Sequence, residues 1–304
     1  VAAYDDKAAL KQFADSVDAI TYEFENIPVE TVKYLETLKP VYPSSHVLGI
    51  AQERLAEKTA MNDYGLPTTR FAPARSGADI QAVMQGWGAS QCIIKTTRFG
   101  YDGKGQSFIR SINDADAAFA KLKADIVIVE ELVDFACEIS VIVARDTFGA
   151  VGSYAPSLNV HKDHILHTST VPAAGVTPAL LDEAQKLAET LAVKIGLVGV
   201  LGVEMFVTKD GRLLINEIAP RPHNSGHWTM DACGCSQFQQ HMRAVAGLPL
   251  GSFARHADAV MTNLLGEDIA QIPALLKNPK AHVHDYGKAE AKAGRKMGHV
   301  TVLS

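Results

Sequence analysis

Cysteine is scarce: the 304-residue chain holds four, Cys92, Cys137, Cys233 and Cys235, and the one close pair reads C-G-C rather than the C-x-x-C of a zinc or dithiol site. A disulfide framework is therefore excluded, and reduced, buried thiols are expected. No apolar run reaches the roughly 18 residues of a membrane span, and the residues after Val1 lack the charged-then-apolar order of a signal peptide. Positive charge is not in excess: the formal net charge of −5 offers no broad basic field for nucleic acid, although a local pocket for one phosphate stays open. Internal repeats and low-complexity segments are absent as well. With 47% hydrophobic and 21% charged residues, the composition is that of a soluble, cytoplasmic enzyme of small molecules, with no nucleic-acid or membrane partner.

The chain opens in a polar, helix-like stretch, Asp5 to Ala14, and runs into a strand, Ala19 to Phe24. A parallel α/β layer needs earlier strands beside this one, so a preceding segment is expected. A helix from Val29 to Leu38 follows, then a second helical pattern from His46 to Asn62 that ends at Gly65 and Pro67. From Phe71 to Arg145 the pattern turns to short strands around a helix (Ile93 to Thr96, Ser107 to Arg110, helix Asn113 to Lys123, Ile126 to Glu131, Glu138 to Arg145), which reads as a small α+β lid. Leu180, Ala184, Leu187, Ala188, Leu191 and Ile195 then mark a long amphipathic helix. Strand-like runs close the chain at Ala259 to Leu265, Ala281 to Tyr286 and Val300 to Leu303. Arg110 and Arg145 read as surface residues. His161, His164 and His167 fall in a strand–turn–strand context that scatters them, so no zinc site is expected there.

Four motifs carry chemistry. In Glu204-Met-Phe-Val-Thr-Lys-Asp-Gly-Arg-Leu-Leu-Ile-Asn-Glu217, two β-prone runs flank Asp210-Gly211, the signal for a two-residue hairpin turn. That turn sets Lys209 opposite Arg212, Val207 opposite Leu214 and Glu204 opposite Glu217, on the side of Phe206 and Ile215. Two directly opposed carboxylates repel unless a cation lies between them, and oxygen-only donors suit Mg²⁺. Lys95, followed by Gly100-Tyr101-Asp102-Gly103-Lys104-Gly105-Gln106, is a strand end and glycine-rich loop that lets backbone N–H groups approach phosphate, though it is neither a Walker A loop nor a dinucleotide fingerprint. Val127 to Val133 is an apolar strand ending in Glu130 and Glu131, placed to read an adenine edge. Directly after Asn216-Glu217, the residues Arg221, His223, Asn224 and Ser225 crowd together, with Arg suited to bidentate contact with a small oxyanion such as bicarbonate.

The runs T-Y-E-F-E-N at Thr21 to Asn26, G-Y-D-G-K-G-Q at Gly100 to Gln106, N-E-I-A-P-R-P-H-N-S-G-H-W-T at Asn216 to Thr229, S-Q-F at Ser236 to Phe238 and G-R-K-M-G-H at Gly294 to His299 together resemble the ATP-dependent carboxyaminoimidazole ribonucleotide synthase family of the ATP-grasp superfamily. The resemblance implies an α/β (α+β) ATP-grasp fold: a partial N-terminal Rossmann-like domain with its exit helix (1–68), a lid (69–133), a central domain (134–250) and a β-rich C-terminal portion (251–304). The family's glycine-rich first strand–loop–helix and its C-terminal helical tail have no counterpart in these residues.

By the same resemblance, ATP is held by Arg54, Lys95, Gly100 to Gln106, Glu130, Glu131, Leu132, Val133, Glu138, His161, Asn216 and Glu217. Glu204 and Glu217 hold Mg²⁺, and Arg221, His223 and Asn224, with Lys95, serve the reaction with bicarbonate. Glu23, Tyr101, Asp102 and Lys104 contact aminoimidazole ribonucleotide, with Lys288 and Arg295 on its phosphate; a homodimer is implied. Two alternatives are another ATP-grasp ligase, of the formate-dependent transformylase or biotin carboxylase type, and a non-catalytic ATP-binding fragment.

Overall fold

The computed structural model describes residues 2–100 and 104–304. The elements run α1 (Lys7–Asp15), β1 (Ile20–Thr21), α2 (Val29–Glu36), β2 (Val41–Tyr42), α3 (Ser45–Gln52), α4 (Arg54–Asp63), β3 (Phe71–Ala74), α5 (Gly77–Trp87), β4 (Cys92–Thr96) and β5 (Gln106–Ile109). They continue through α6 (Ala115–Leu122), β6 (Val127–Glu131), β7 (Phe135–Arg145), β8 (Val151–Ser153), β9 (Ser157–Lys162), β10 (Ile165–Val171), α7 (Pro178–Lys194), β11 (Gly199–Thr208) and β12 (Leu213–Ala219). The last are α8 (Thr229–Ala232), α9 (Gln237–Val245), β13 (Ala259–Leu265), α10 (Ile272–Leu275), β14 (Ala281–Asp285) and β15 (Lys296–Leu303).

Three sheets organise these elements. β1 and β2 pair in parallel, β3-β6-β4-β5 form a four-stranded antiparallel sheet, and a nine-stranded sheet runs β12-β11-β7-β9-β10-β13-β15-β14 with β8 on the edge of β7. Odd-numbered residues of β7 and β11 (Ile139, Val141, Val143, Leu201, Val203, Met205) face α7, whose Ala184, Ala188, Leu191 and Ala192 complete the main core. That helix begins as its sequence directs, with Thr177 accepting from Leu180 N–H and Pro178 in the first turn. The opposite face carries Ile142, Ala144, Val200, Tyr154 and Trp228 at one end. At the other it carries polar side chains.

Several expectations shift. The helix read over 46–62 is two helices, because Glu53 is extended (φ −129, ψ 113) and its carboxylate accepts from Ala56 N–H to start α4, freeing Arg54 N–H for Thr97 O at 2.9 Å. The strand Ala19 to Phe24 is only Ile20–Thr21, since the chain turns away to bring Glu25 to the central sheet. The lid gains β3 and α5, the latter capped by Ser76 and closed by left-handed Gly88. Arg145 is not a surface residue: its Nη1 donates to Leu197 O at 2.8 Å and its Nε is buried. All four cysteines are free, and no described helix is long and apolar enough to cross a membrane.

The hairpin holds the most informative difference. Val207 pairs with Leu213 and Phe206 with Leu214, one residue out of the predicted register, because Lys209-Asp210-Gly211 make a three-residue loop in which Gly211 N–H bonds Thr208 O at 3.0 Å. A β-bulge at Asn216 then cancels the offset, so Glu204 still faces Glu217. Ile215 is thereby turned into the core, away from Glu204.

The packing predicts an acid-labile fold. His241 clamps β1 to β11: its Nε2 lies 2.7 Å from Thr21 Oγ1 and its Nδ1 accepts from Val200 N–H at 3.2 Å. Burial pushes His241 and His227 down to about 4, and burial with neighbouring His227 and His284 pushes His299 to about 3. The unfolded chain takes up these protons near pH 6.5, so the stability they contribute is full above that pH and lost as pH falls towards 4. Each contributes a slope of about 1.4 kcal/mol per pH unit in that window. Glu204 and Glu57, both pushed up to about 8, act in the opposite sense, two groups against these three and His223, which burial also holds low. Thermal unfolding of the ligand-free protein should shift steeply downward from pH 6.5 to 4.5; a flat profile there would refute the burial of these neutral imidazoles.

Candidate active site

The polar end of the sheet face is built by strand alternation. Glu138 and Ser140 on β7 pair with Phe206 and Glu204 on β11, Glu217 on β12 sits opposite Glu204, and Asn159 on β9 sits opposite Glu138 with His161 two residues on. Glu138, His161, Glu204 and Glu217 thus share one face. Donor atoms of Glu138, His161 and Glu204 lie within 4.8 Å of one another. His161 Nδ1 stands 3.4 Å from Glu138, an ion-pair distance rather than an aligned hydrogen bond, and the contact raises His161. Burial and then the facing Glu217 push the Glu204 carboxyl up to about 8. The site is short of positive charge at that point.

The run after Glu217 folds back over this face. His223 Nε2 is 3.2 Å from Glu204 Oε1, and its Nδ1 is 2.8 Å from Ser225 Oγ, which accepts from Ser140 Oγ at 2.6 Å. That chain assigns the proton to Nε2. Burial, then the charges of Arg221 and Lys296, holds His223 well below the usual imidazole range. Both side-chain atoms of Asn224, and Asn216 Oδ1, are buried and find no partner among the described residues. Unpaired buried amides are rare and mark a place for a polar ligand. Gly202 gives this segment its room: a Cβ there would stand 2.7 Å from His223 Cβ. Gly202→Ala should lower turnover about 10-fold or more by displacing His223, with secondary structure kept; unchanged turnover would show that His223 need not lie here.

A second wall comes from the four-stranded sheet. Lys95 Nζ bonds Glu130 Oε2 at 2.8 Å, with side chains 16% and 3% exposed. Burial alone would raise Glu130, but Lys58, Lys95 and Arg54 outweigh it and hold the carboxyl below its ordinary value. Lys58 Nζ donates to Asn216 O at 3.0 Å, supporting the bulge from beneath. Arg54 joins the walls: Nη2 donates to Gly100 O at 3.0 Å and Nη1 lies 3.5 Å from Glu217. The loop base closes through Thr96 N–H to Gly105 O at 2.7 Å, and left-handed Gly105 leaves no space for a side chain beside Thr96. Glu131, Leu132 and Val133 line a cleft of about 410 Å³ against the β11–β12 hairpin. A larger cavity of about 640 Å³ along α9 contains none of the motif residues.

Tyr101, Asp102 and Gly103 lie outside the described residues. Glu23, Lys104, Lys288 and Arg295 are exposed, and Lys288 Nζ donates to Lys296 O at 2.6 Å. Partial burial, then Arg295 and Lys296, lowers Lys288, so three cations crowd one loop. Lys296 in turn acts on Glu204 and His223. Glu25, Gln52, Lys58 and Lys296 escaped the sequence reading, although Glu25 lies in the same T-Y-E-F-E-N run as Glu23. One further cluster, Asp231, His284 and His299, brings donors within 4.8 Å, but the two rings stack at 4.4 Å and 16°. In-plane lone pairs of parallel rings do not converge on one ion, so this is a packed layer; Tyr286 Oη at 2.8 Å from His299 Nδ1 extends it.

Known families match along the whole chain: the ribonucleotide synthetase preATP-grasp domain over residues 1–52, the ATP-grasp domain over 59–238 and the phosphoribosylaminoimidazole carboxylase C-terminal domain over 259–304. The N5-carboxyaminoimidazole ribonucleotide synthase of Brucella melitensis is 50% identical over 305 residues, covering 99% of this chain and 83% of that protein. The chain belongs to the N5-carboxyaminoimidazole ribonucleotide synthase family. It is therefore an ATP-grasp ligase of purine biosynthesis. The crystal structure of an N5-carboxyaminoimidazole ribonucleotide synthetase with ADP superposes with a TM-score of 0.94 at 42% identity, covering 100% of this chain and 80% of that one. The Aspergillus clavatus synthase with ADP and 5-aminoimidazole ribonucleotide gives 0.92 at 29% identity, covering 100% and 81%. The expected ATP-grasp fold is borne out.

Proposed function

We propose that this chain carboxylates the exocyclic amine of 5-aminoimidazole ribonucleotide with bicarbonate, driven by ATP, through carboxyphosphate. The observation that carries the reading is the pairing of Glu204 with Glu217, continued along the same chain by Arg221, His223 and Asn224. A bicarbonate oxygen attacks the γ-phosphorus while the bond to the ADP oxygen breaks. The amine nitrogen then attacks the carboxyphosphate carbon, the carbon–oxygen bond to phosphate breaks, and the nitrogen loses a proton.

In this reading Arg54, Lys95, Gly100, Gly105, Gln106, Glu130 to Val133, Glu138, His161, Asn216 and Glu217 surround ATP, and Lys95 meets the charge of the transferred phosphoryl group. Asn224 brings its unpartnered amide, and Arg221 its guanidinium, to bicarbonate. Glu23 and Lys104 address the ribonucleotide, with Lys288 and Arg295 on its phosphate, where their crowding favours a dianion. Glu204 and Glu217 would hold Mg²⁺; an oxygen-donor pair whose buried member is driven up to about 8 fits a hard dication, which supplies charge neutralisation at the phosphates. The division at 1–68, 69–133, 134–250 and 251–304, a homodimer and a cytoplasmic location complete the proposal.

ADP release should be stimulated strongly by 5-aminoimidazole ribonucleotide only with bicarbonate and Mg-ATP. Formate with glycinamide ribonucleotide should give none. Stimulation by the formate pair would move the chain to the transformylase reading, and ATP binding with no acceptor effect would favour a non-catalytic role.

A further inference from the structure

Arg221 commits most of its guanidinium to protein. Nε donates to Glu25 Oε2 at 3.0 Å, Nη2 to Glu25 Oε1 at 3.0 Å and Nη1 to Pro222 O at 3.1 Å. Of the five N–H groups of a guanidinium, two are left uncommitted among the described residues, one on each terminal nitrogen. Both the plane and the rotation of the group are fixed by these bonds. The pair is partly desolvated, with side chains 26% and 31% exposed, and its bidentate form resists the swinging that a single contact would allow.

Glu25 is itself anchored. Gln52, 8% exposed, donates from Nε2 to Glu25 O at 2.6 Å and to Ile27 O at 2.5 Å. Its Oε1 accepts from Arg98 Nη2 at 2.6 Å, just ahead of the glycine-rich loop. A continuous path thus runs from that loop through Gln52 and Glu25 to Arg221. The backbone at Glu25 and just after it is thereby held and cannot readily follow a moving guanidinium.

We infer that Glu25 is the positioning residue for Arg221: it holds the guanidinium so that its two uncommitted N–H groups are preorganised for a planar, carboxylate-like oxyanion, bicarbonate in the reading above, on which this inference rests. Preorganised donors gain most when substrate would otherwise have to order them.

The test is steady-state ADP release by the full chain with Mg-ATP and 5-aminoimidazole ribonucleotide, varying bicarbonate. Glu25→Gln should raise the KM for bicarbonate roughly 10- to 100-fold, with kcat and the KM for ATP changed less than about 3-fold. Glu25→Asp, which keeps the charge, should recover part of the loss. A purely structural tether would instead lower the unfolding temperature and move both KM values together, and that result overturns the inference. Arg221→Lys separates the layers. If it raises the KM for bicarbonate while Glu25→Gln does not, only the positioning role falls; if it leaves that KM unchanged, the assignment of Arg221 falls too.

Discussion

Glu217→Ala is expected to lower ADP release at least ~10³-fold, and Glu204→Gln to do the same while leaving the ligand-free protein as stable as the parent or more so. The asymmetry follows from geometry. Glu204 is nearly buried and faces Glu217 directly across the hairpin, and burial with that facing charge pushes its carboxyl up to about 8. Without ligand the pair is a like-charge conflict, which an amide of the same shape relieves. In the proposed site the same carboxylate would serve as a Mg²⁺ ligand when ATP is bound, a role that an amide fills poorly. Thermal unfolding without nucleotide and steady-state ADP release read the two effects separately. Near-normal turnover by Glu217→Ala would remove it from the metal and phosphate site.

Lys95→Ala should damage both fold and chemistry. Glu130 is 2% exposed and bonded to Lys95 at 2.8 Å, so deleting the ammonium leaves a buried carboxylate with only Lys58 and Arg54 to compensate. Breaking a buried pair from one side costs about 3 kcal/mol, and losing the cation proposed to meet the phosphoryl group should cost turnover ~10²- to 10³-fold. The double variant Lys95→Ala/Glu130→Gln should regain much of the stability and none of the turnover. Denaturant unfolding and ADP release on the three variants check this. Recovery of turnover along with stability would mean that Lys95 acts only as a structural partner of Glu130.

Most of the architecture was legible because it rests on local patterns. The α7 stripe from Leu180 to Ile195, the strand runs around the glycine-rich loop and the three C-terminal strands appear within a few residues of their predicted bounds. Helix α5 carries local signals as well, Ser76 at its start and Gly88 at its end, although the strand pattern around it dominates that stretch. The pairing of Glu204 with Glu217 came out right through two errors that cancel: a longer loop at Lys209 to Gly211 and a bulge at Asn216. Bulges leave little trace in a single sequence, since their signal lies in the partner strand. Long-range pairs such as Arg221 with Glu25, 196 residues apart, and the burial of Glu57, Lys58 and Glu130 are products of tertiary packing, which no window of sequence contains.

The most direct test of the account is the fate of an oxygen atom. With ¹⁸O-labelled bicarbonate, Mg-ATP and 5-aminoimidazole ribonucleotide, attack of a bicarbonate oxygen on the γ-phosphorus leaves that oxygen on phosphorus when the carbon–oxygen bond breaks. The account predicts one ¹⁸O in the released phosphate for each turnover. Unlabelled phosphate from full turnover would mean that ATP is cleaved by water and that bicarbonate is not activated at this site.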